Sequence, residues 1–332
     1  MITLVVLGAL LLPFLLVGAV LAIRFRSRRW RIVRRCVGLY VTAAVLMAAG
    51  VAPYVLARAL THSGTRPPDL RLTDNPAAYG LHFEDVSFRS RDGVPLQGWY
   101  VPPGRRRAVI ISSHGLFRNR VEVLARTMSL ARRGYGALLF DFRSHGRSGK
   151  YPVSLGYHER NDVLGALDYA RSRVQGSPQE TPIVLMGVSM GAVATLGAAA
   201  GSDGYAALIL DSPFSSIRQT VADHAWLFLR MPRVPFSSLF IFWFQRMAGF
   251  DVDSVDSFAA IERAAPVPLL MIASEGDERI GADVSKRLFE KSRAPDKEIR
   301  VFGREVPHGA SARMHPAEYD ALVLSFLDRT LP

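Results

Sequence analysis

From residue 82 onward short apolar runs alternate with helix-patterned segments, and few folds accept that rhythm. The runs are Phe83–Arg89, Val94–Val101, Ala108–Ser112, Gly136–Asp141, Ile183–Met186, Ala206–Asp211, Val267–Ala273 and Glu298–Phe302. Helical patterns separate them at about 120–133, 159–174, 190–200, 283–293 and 317–329. Strands that are apolar along their whole length are buried on both faces, so the pattern predicts a mainly parallel sheet with helices on either side. Arg91-Asp92-Gly93 joins the first two runs in the manner of a hairpin, which makes the expected eight-stranded sheet mixed at its start. The helix at 120–133 shows how each segment is read. Asn119 and Glu122 fit a capping box, Val121, Leu124, Ala125 and Met128 share a face, and Gly134 stops the helix.

The region before residue 60 follows another rule. Ile2–Ile23 and Cys36–Ala57 are each 22 residues long and contain no charged side chain. As helices they would extend about 33 Å, enough for a bilayer core of about 30 Å. A cleaved signal peptide is the competing reading of the first run, but no basic segment precedes it and Arg follows it where small residues would be needed. Seven Arg lie within 24–35, between the two runs. Such a cluster stays cytoplasmic. The expectation is therefore a two-span anchor over residues 1–60, a tether at 61–81 and a domain at 82–332. The protein would be integral to a bacterial inner or plasma membrane, with that domain on the non-cytoplasmic side.

Charge agrees with this division. The net charge is +12, and residues 1–65 contain eight Arg and no acid, which leaves +4 for the rest. No basic stripe interleaved with aromatics follows, so nucleic acid is not an expected partner. Cys36 is the one cysteine, which excludes an intramolecular disulfide.

Gly187-Val188-Ser189-Met190-Gly191 has the G-x-S-x-G pattern, and its setting matters more than the string. An apolar strand precedes it and the Ala-rich stretch Ala192–Ala200 follows. A turn this tight exposes the central hydroxyl, and flanking glycines avoid a clash. Ser189 is therefore the expected nucleophile. In this architecture the acid and then the histidine follow, each after a later strand. His308 comes six residues past Phe302 and is the expected base, with His315 as rival. Asp277, in Ser274-Glu275-Gly276-Asp277-Glu278, is the expected acid, and Asp211 after the preceding strand is the alternative. The oxyanion donors expected are the backbone N–H groups of Met190 and of Leu116, the latter in Ser113-His114-Gly115-Leu116-Phe117. His114 is expected to orient that loop. No metal cluster, P-loop or dinucleotide fingerprint is present, so no cofactor is implied.

With these motifs in view, residues 82–332 resemble the α/β-hydrolase superfamily, near its serine aminopeptidase, monoacylglycerol-lipase and depalmitoylase-like branches. Asp141-Phe142-Arg143-Ser144-His145-Gly146-Arg147-Ser148 is similar to the family's D-x-R-G-H-G-x-S loop, with Ser144 where Gly is usual. Gly187–Gly191, Gly276-Asp277 and Pro307-His308-Gly309 match its elbow, acid turn and histidine loop. The resemblance implies hydrolysis of an ester, thioester or amide through an acyl-enzyme, without a cofactor. A helical lid is expected at about 213–257. Its aromatic run, Phe236 to Phe244 with Trp226 and Phe228, either packs the lid or forms a surface for acyl chains and the bilayer. The expected partners are a small-molecule or lipid acyl substrate and the lipid bilayer. A peptidase of the same fold and a non-catalytic membrane interaction protein are the rival functions.

Overall fold

The apolar runs form a single eight-stranded sheet in the computed structural model, which describes residues 28–69, 72, 74–106, 108–175 and 181–331. The strands are β1 (Glu84–Arg89), β2 (Pro95–Val101), β3 (Val109–Ser113), β4 (Gly136–Phe140), β5 (Ile183–Val188), β6 (Ala207–Asp211), β7 (Leu269–Ser274) and β8 (Lys297–Phe302). Their order across the sheet is β1-β2-β4-β3-β5-β6-β7-β8. The β1–β2 and β2–β4 pairs are antiparallel and every other pair is parallel. Every residue of β3 to β7 is buried, as strands covered on both faces require. The edge strand β8 is half-exposed and carries Lys297, Glu298 and Arg300, charges that discourage pairing with another chain.

The helices are α1 (Arg28–Thr61), α2 (Leu124–Ala131), α3 (Glu159–Val174), α4 (Met190–Ala199), α5 (Ile217–Leu229), α6 (Ser238–Ala248), α7 (Ser257–Arg263), α8 (Ala282–Lys291), α9 (Ser311–Met314) and α10 (Pro316–Thr330). On one face Leu130 of α2 and Tyr319, Val323, Phe326 and Leu327 of α10 pack against Ile110, Val184, Met186, Ile209, Leu270 and Ile272. Helices α3 and α4 pack on each other and against the central strands. The expected helix at 120–133 divides. A 3₁₀ turn at Arg120–Val123 precedes α2, because Asn119 caps that turn through Val121 N–H while Glu122 turns away to another partner.

The chain separates into two compact units. One combines the described residues up to Arg58 with Val221–Phe244, and the other holds Ala59–Thr220 and Gln245 onward, including the whole sheet. In the sheet unit the segment expected as a tether is hydrogen-bonded in place. Val153 N–H donates to Thr61 O, Arg66 N–H to Phe117 O, and Gly146 N–H to Thr65 Oγ1.

The helical unit divides its aromatic residues. Phe236, Phe240, Ile241 and Phe244 are buried, and the Phe240 and Phe244 rings stack at 5.7 Å. Tyr54 of α1 meets Trp243 of α6 edge to face at 5.2 Å. Trp226, Phe228, Val234 and Phe242 are exposed. The expected span 2–23 lies outside the described residues. The expected span 36–57 is part of α1, and among the described residues no helix is long and apolar enough to cross a membrane.

Candidate active site

The sheet order reverses direction at β3, whose neighbours β4 and β5 continue the chain on opposite sides of it. Loops leaving adjacent strand ends at such a point diverge and leave a crevice, where α/β proteins bind their ligands. Ser113 at the end of β3 pairs with Gly187 near the end of β5. The crevice is therefore bordered by the 113–118 loop and by Ser189.

Ser189 has φ 55° and ψ −120°, a strained conformation for a residue with a side chain. Its N–H is fixed by Asp211 O at 2.8 Å. The glycines on either side are sterically required. A Cβ at Gly187 would lie 2.4 Å from Gly191 O, and one at Gly191 would lie 2.4 Å from Ser113 O. Helix α4 starts at Met190, immediately after the serine.

His308 and Asp277 arrive from the last two strands. His308 Nε2 lies 2.8 Å from Ser189 Oγ, and its Nδ1 lies 2.5 Å from Asp277 Oδ2. The other oxygen of Asp277 accepts the N–H groups of Arg279 and Ile280 at 3.0 and 2.9 Å, which orients the carboxylate. The acid turn sits tightly on the histidine loop, since a Cβ at Gly276 would lie 2.2 Å from Arg304 O. The structure thus brings Ser189, His308 and Asp277 into one hydrogen-bonded line.

The alternatives stand elsewhere. Asp211 is fully buried, and its Oδ2 pairs with Arg126 Nη1 at 3.0 Å. Arg126 also donates to Gly309 O beside His308 and to Tyr319 Oη. His315 faces Glu305 and Glu318 and stacks on Phe302.

Two buried histidines hold the 113–118 loop. His114 Nδ1 lies 2.7 Å from Gly115 O, and its Nε2 accepts Phe142 N–H at 3.0 Å. His145 Nε2 accepts Phe117 N–H at 3.2 Å while its Nδ1 lies 2.8 Å from Arg143 O. Each ring must carry its proton on Nδ1 and be neutral for this pattern to hold. Burial, with the nearby His145, holds the His114 pKa well below the ordinary value, and burial lowers that of His145. Glu122 Oε2 accepts the Gly115 N–H at 2.6 Å, and burial pushes its pKa up. Arg118 N–H donates back to Gly115 O. Along 115–118 this leaves only the Leu116 N–H without an acceptor among the described residues. No group of three His, Cys, Asp or Glu among those residues could hold a metal ion.

The D-x-R-x-H-G-x-S loop is structural. Asp141 accepts Arg120 N–H and Arg147 N–H, and a Cβ at Gly146 would lie 2.0 Å from its Oδ2. Ser144 has φ 63°, which explains why Gly is usual at this position. Its Oγ donates to Tyr151 O and accepts Tyr151 N–H, offsetting the backbone strain.

Sheet order, elbow and histidine loop together define an α/β-hydrolase fold. Solved structures agree. The Pyrococcus furiosus esterase Pf2001 superposes with a TM-score of 0.67 at 23% identity, covering 82% of this chain and 100% of that one. The Pyrococcus horikoshii acylaminoacyl peptidase gives 0.55 at 20% identity, over 75% of this chain and 42% of that one. The family model described as serine aminopeptidase, S33, matches residues 104–241. That match includes Ser189 and ends before Asp277 and His308. Among curated sequences, YqkD of Bacillus subtilis is 28% identical over 78% of this chain and 85% of its own length.

Sequence reasoning missed Glu122, Arg126 and His145 as site neighbours. Glu122 has the spacing of a capping residue and Arg126 that of an exposed helix position. The histidine of the D-x-R-x-H-G-x-S loop was the one available signal.

Proposed function

We propose that the protein is a membrane-anchored serine hydrolase that cleaves an acyl ester or thioester. The observation that carries this reading is the line Ser189 Oγ–His308 Nε2–His308 Nδ1–Asp277 Oδ2, at 2.8 and 2.5 Å. Ser189 Oγ attacks the carbonyl carbon and passes its proton to His308 Nε2. Asp277 remains ionised and stabilises the imidazolium. The carbonyl oxygen becomes an oxyanion held by the Met190 and Leu116 N–H groups. Collapse breaks the bond to the leaving group, which takes the proton from His308 and departs, leaving an acyl-serine. Water then repeats the sequence and releases the acid.

The esterase Pf2001 supports an ester over an amide, and the peptidase neighbour keeps amides in the test. The membrane reading rests on the full sequence, in which 2–23 and 36–57 are uncharged, and on the exposed apolar side chains of α1. The Arg-rich segment 24–35 would then lie in the cytoplasm and the sheet unit outside.

A fluorophosphonate probe should label the full-length protein and fail to label Ser189→Ala. Esters and thioesters should be cleaved in preference to peptide p-nitroanilides. Absence of both labelling and turnover would overturn the proposal, and faster amide cleavage would transfer it to a peptidase. An alkaline-phosphatase fusion at the C-terminus should be active, whereas an inactive one would reverse the orientation.

A further inference from the structure

The direction of the Leu116 N–H is set by the peptide plane it shares with Gly115 O. In a trans peptide the two groups point opposite ways, so whatever holds the oxygen aims the N–H. Gly115 O meets His114 Nδ1 at 2.7 Å and accepts the Arg118 N–H at 3.3 Å. This plane stands beside the nucleophile, since a Cβ at Gly115 would lie 3.6 Å from Ser189 Cβ. Two residues on, Phe117 has φ 64°, a left-handed conformation that is costly for an aromatic residue. Such a backbone persists only where its surroundings hold it. His145 holds the Phe117 N–H. The carbonyl side is held by residues from outside the loop, in the segment that follows α1.

Between Thr65 and Asp69 that segment grips three consecutive residues, Phe117, Arg118 and Asn119. Arg66 N–H donates to Phe117 O at 2.9 Å. Thr65 Oγ1 donates to Arg118 O at 2.8 Å and accepts the Gly146 N–H at 2.7 Å, so one hydroxyl ties the 113–118 loop to the 141–148 loop. Asp69 accepts Asn119 Nδ2 on its backbone oxygen at 2.5 Å and Arg118 Nη1 on its carboxylate at 2.9 Å. The approach is close, because a Cβ at Gly64 would lie 2.4 Å from Ser144 O. A segment that only spans a distance needs none of these bonds. We propose that Thr65 and Asp69 are positioning residues for the reaction. Through Arg118 they fix the Gly115–Leu116 plane and so aim the Leu116 N–H at the oxygen that becomes negative. The proposal rests on the hydrolase reading above and extends its machinery to the segment after α1.

The test uses the full-length protein in detergent and p-nitrophenyl butyrate, with kcat expressed per site titrated by a fluorophosphonate probe. Thr65→Val keeps the shape of the side chain and removes the hydroxyl. It should lower kcat by about tenfold to a hundredfold with KM nearly unchanged, because a displaced oxyanion donor is missed in the transition state. An alkyl trifluoromethyl ketone supplies a second readout. Ser189 Oγ adds to its carbonyl carbon, His308 takes the proton, and the ketone oxygen becomes an anion where the substrate's would form. Its inhibition constant should rise by the factor by which kcat falls. Thr65→Ser should restore both quantities, and Asp69→Asn should give a smaller loss of the same kind. Misfolding alone would not produce this pattern, since the probe does not count misfolded protein. An active wild type whose kcat and ketone affinity are unmoved by both Thr65→Val and Asp69→Asn would overturn the proposal. So would a rise in KM alone, or a loss that Thr65→Ser does not restore. A wild type that is neither labelled nor active would remove the hydrolase reading, and the proposal with it.

Discussion

In the unit built on the sheet, strands β3 to β7 bury every side chain, and three buried guanidinium–carboxylate pairs lie in and around them. Arg126 holds Asp211, Arg120 holds Asp141, and Arg143 holds Asp162, each within 3.1 Å. The helical unit leaves large apolar groups on its surface, among them Leu39, Leu46 and Met47 of α1 and Trp226 and Val234. The first arrangement completes its core from within the chain and can afford strain at Ser189, because its surroundings fix that backbone. The second presents apolar area of the kind that marks a contact with another molecule or a bilayer. The Ser189–His308–Asp277 line and the apolar surface therefore belong to different units.

The largest expected effect tests whether the line at Ser189 acts as one device. Ser189→Ala and His308→Ala should each lower kcat by on the order of 10⁴–10⁶, and the double variant should lose little more. Asp277→Asn should cost about 10⁴ or less. Additive losses would mean that the three groups do not work together.

Asp211→Asn should behave differently, because it removes the partner of a buried guanidinium. The expected cost is about 3–5 kcal/mol of unfolding free energy. Calorimetry checks it, and a kcat loss as large as that of Asp277→Asn without destabilisation would make Asp211 the acid after all.

A smaller effect comes from the neutral histidines behind the 113–118 loop. Their folded pKa values lie below the ordinary 6.5, so below that pH the unfolded chain takes up protons that the folded protein refuses. These two residues therefore make stability fall as pH drops through the range under 6.5, against the opposite contribution of Asp162, whose pKa burial raises to about 7. The slope is about 1.4 kcal/mol per pH unit for each proton, so two such residues give at most about 2.8. Chemical denaturation between pH 7 and 5 measures it. A slope unchanged when both histidines are replaced by Gln would mean that both imidazolium forms are accommodated in the fold.

What the sequence disclosed follows the reach of each interaction. The parallel strands were legible because each is a short apolar run closed by turn residues, and β boundaries fall within two residues of the expected ones. The elbow was legible because its glycines answer a local steric demand. His308 and Asp277 were legible only through the order in which strands deliver them. Arg126 was not, because its partners Asp211 and Tyr319 lie 85 and 193 residues away and nothing local marks it as buried. Glu122 illustrates a local rule overridden by tertiary contact: its carboxylate leaves the cap for the Gly115 N–H. Ser144 was visible as a departure from the motif, but its compensating bonds to Tyr151 appear only when the loop closes.

The smallest effect lies in the helical unit, where exposure and burial alternate along one aromatic segment. Phe244 has no exposed surface, whereas Trp226 and Val234 are 58% and 74% exposed. Phe244→Ala should cost about 3–5 kcal/mol, since it removes a ring from a packed site. Trp226→Phe and Val234→Ser should each stay within about 0.5 kcal/mol of the wild type in detergent, because neither opens a cavity. Their role, if the unit meets lipid, is one of contact. In protein reconstituted with brominated lipid, Trp226→Phe should remove part of the quenchable tryptophan fluorescence that the wild type shows. Quenching identical in the two proteins would place Trp226 away from the acyl chains, and the exposed rings would then need a partner other than the bilayer.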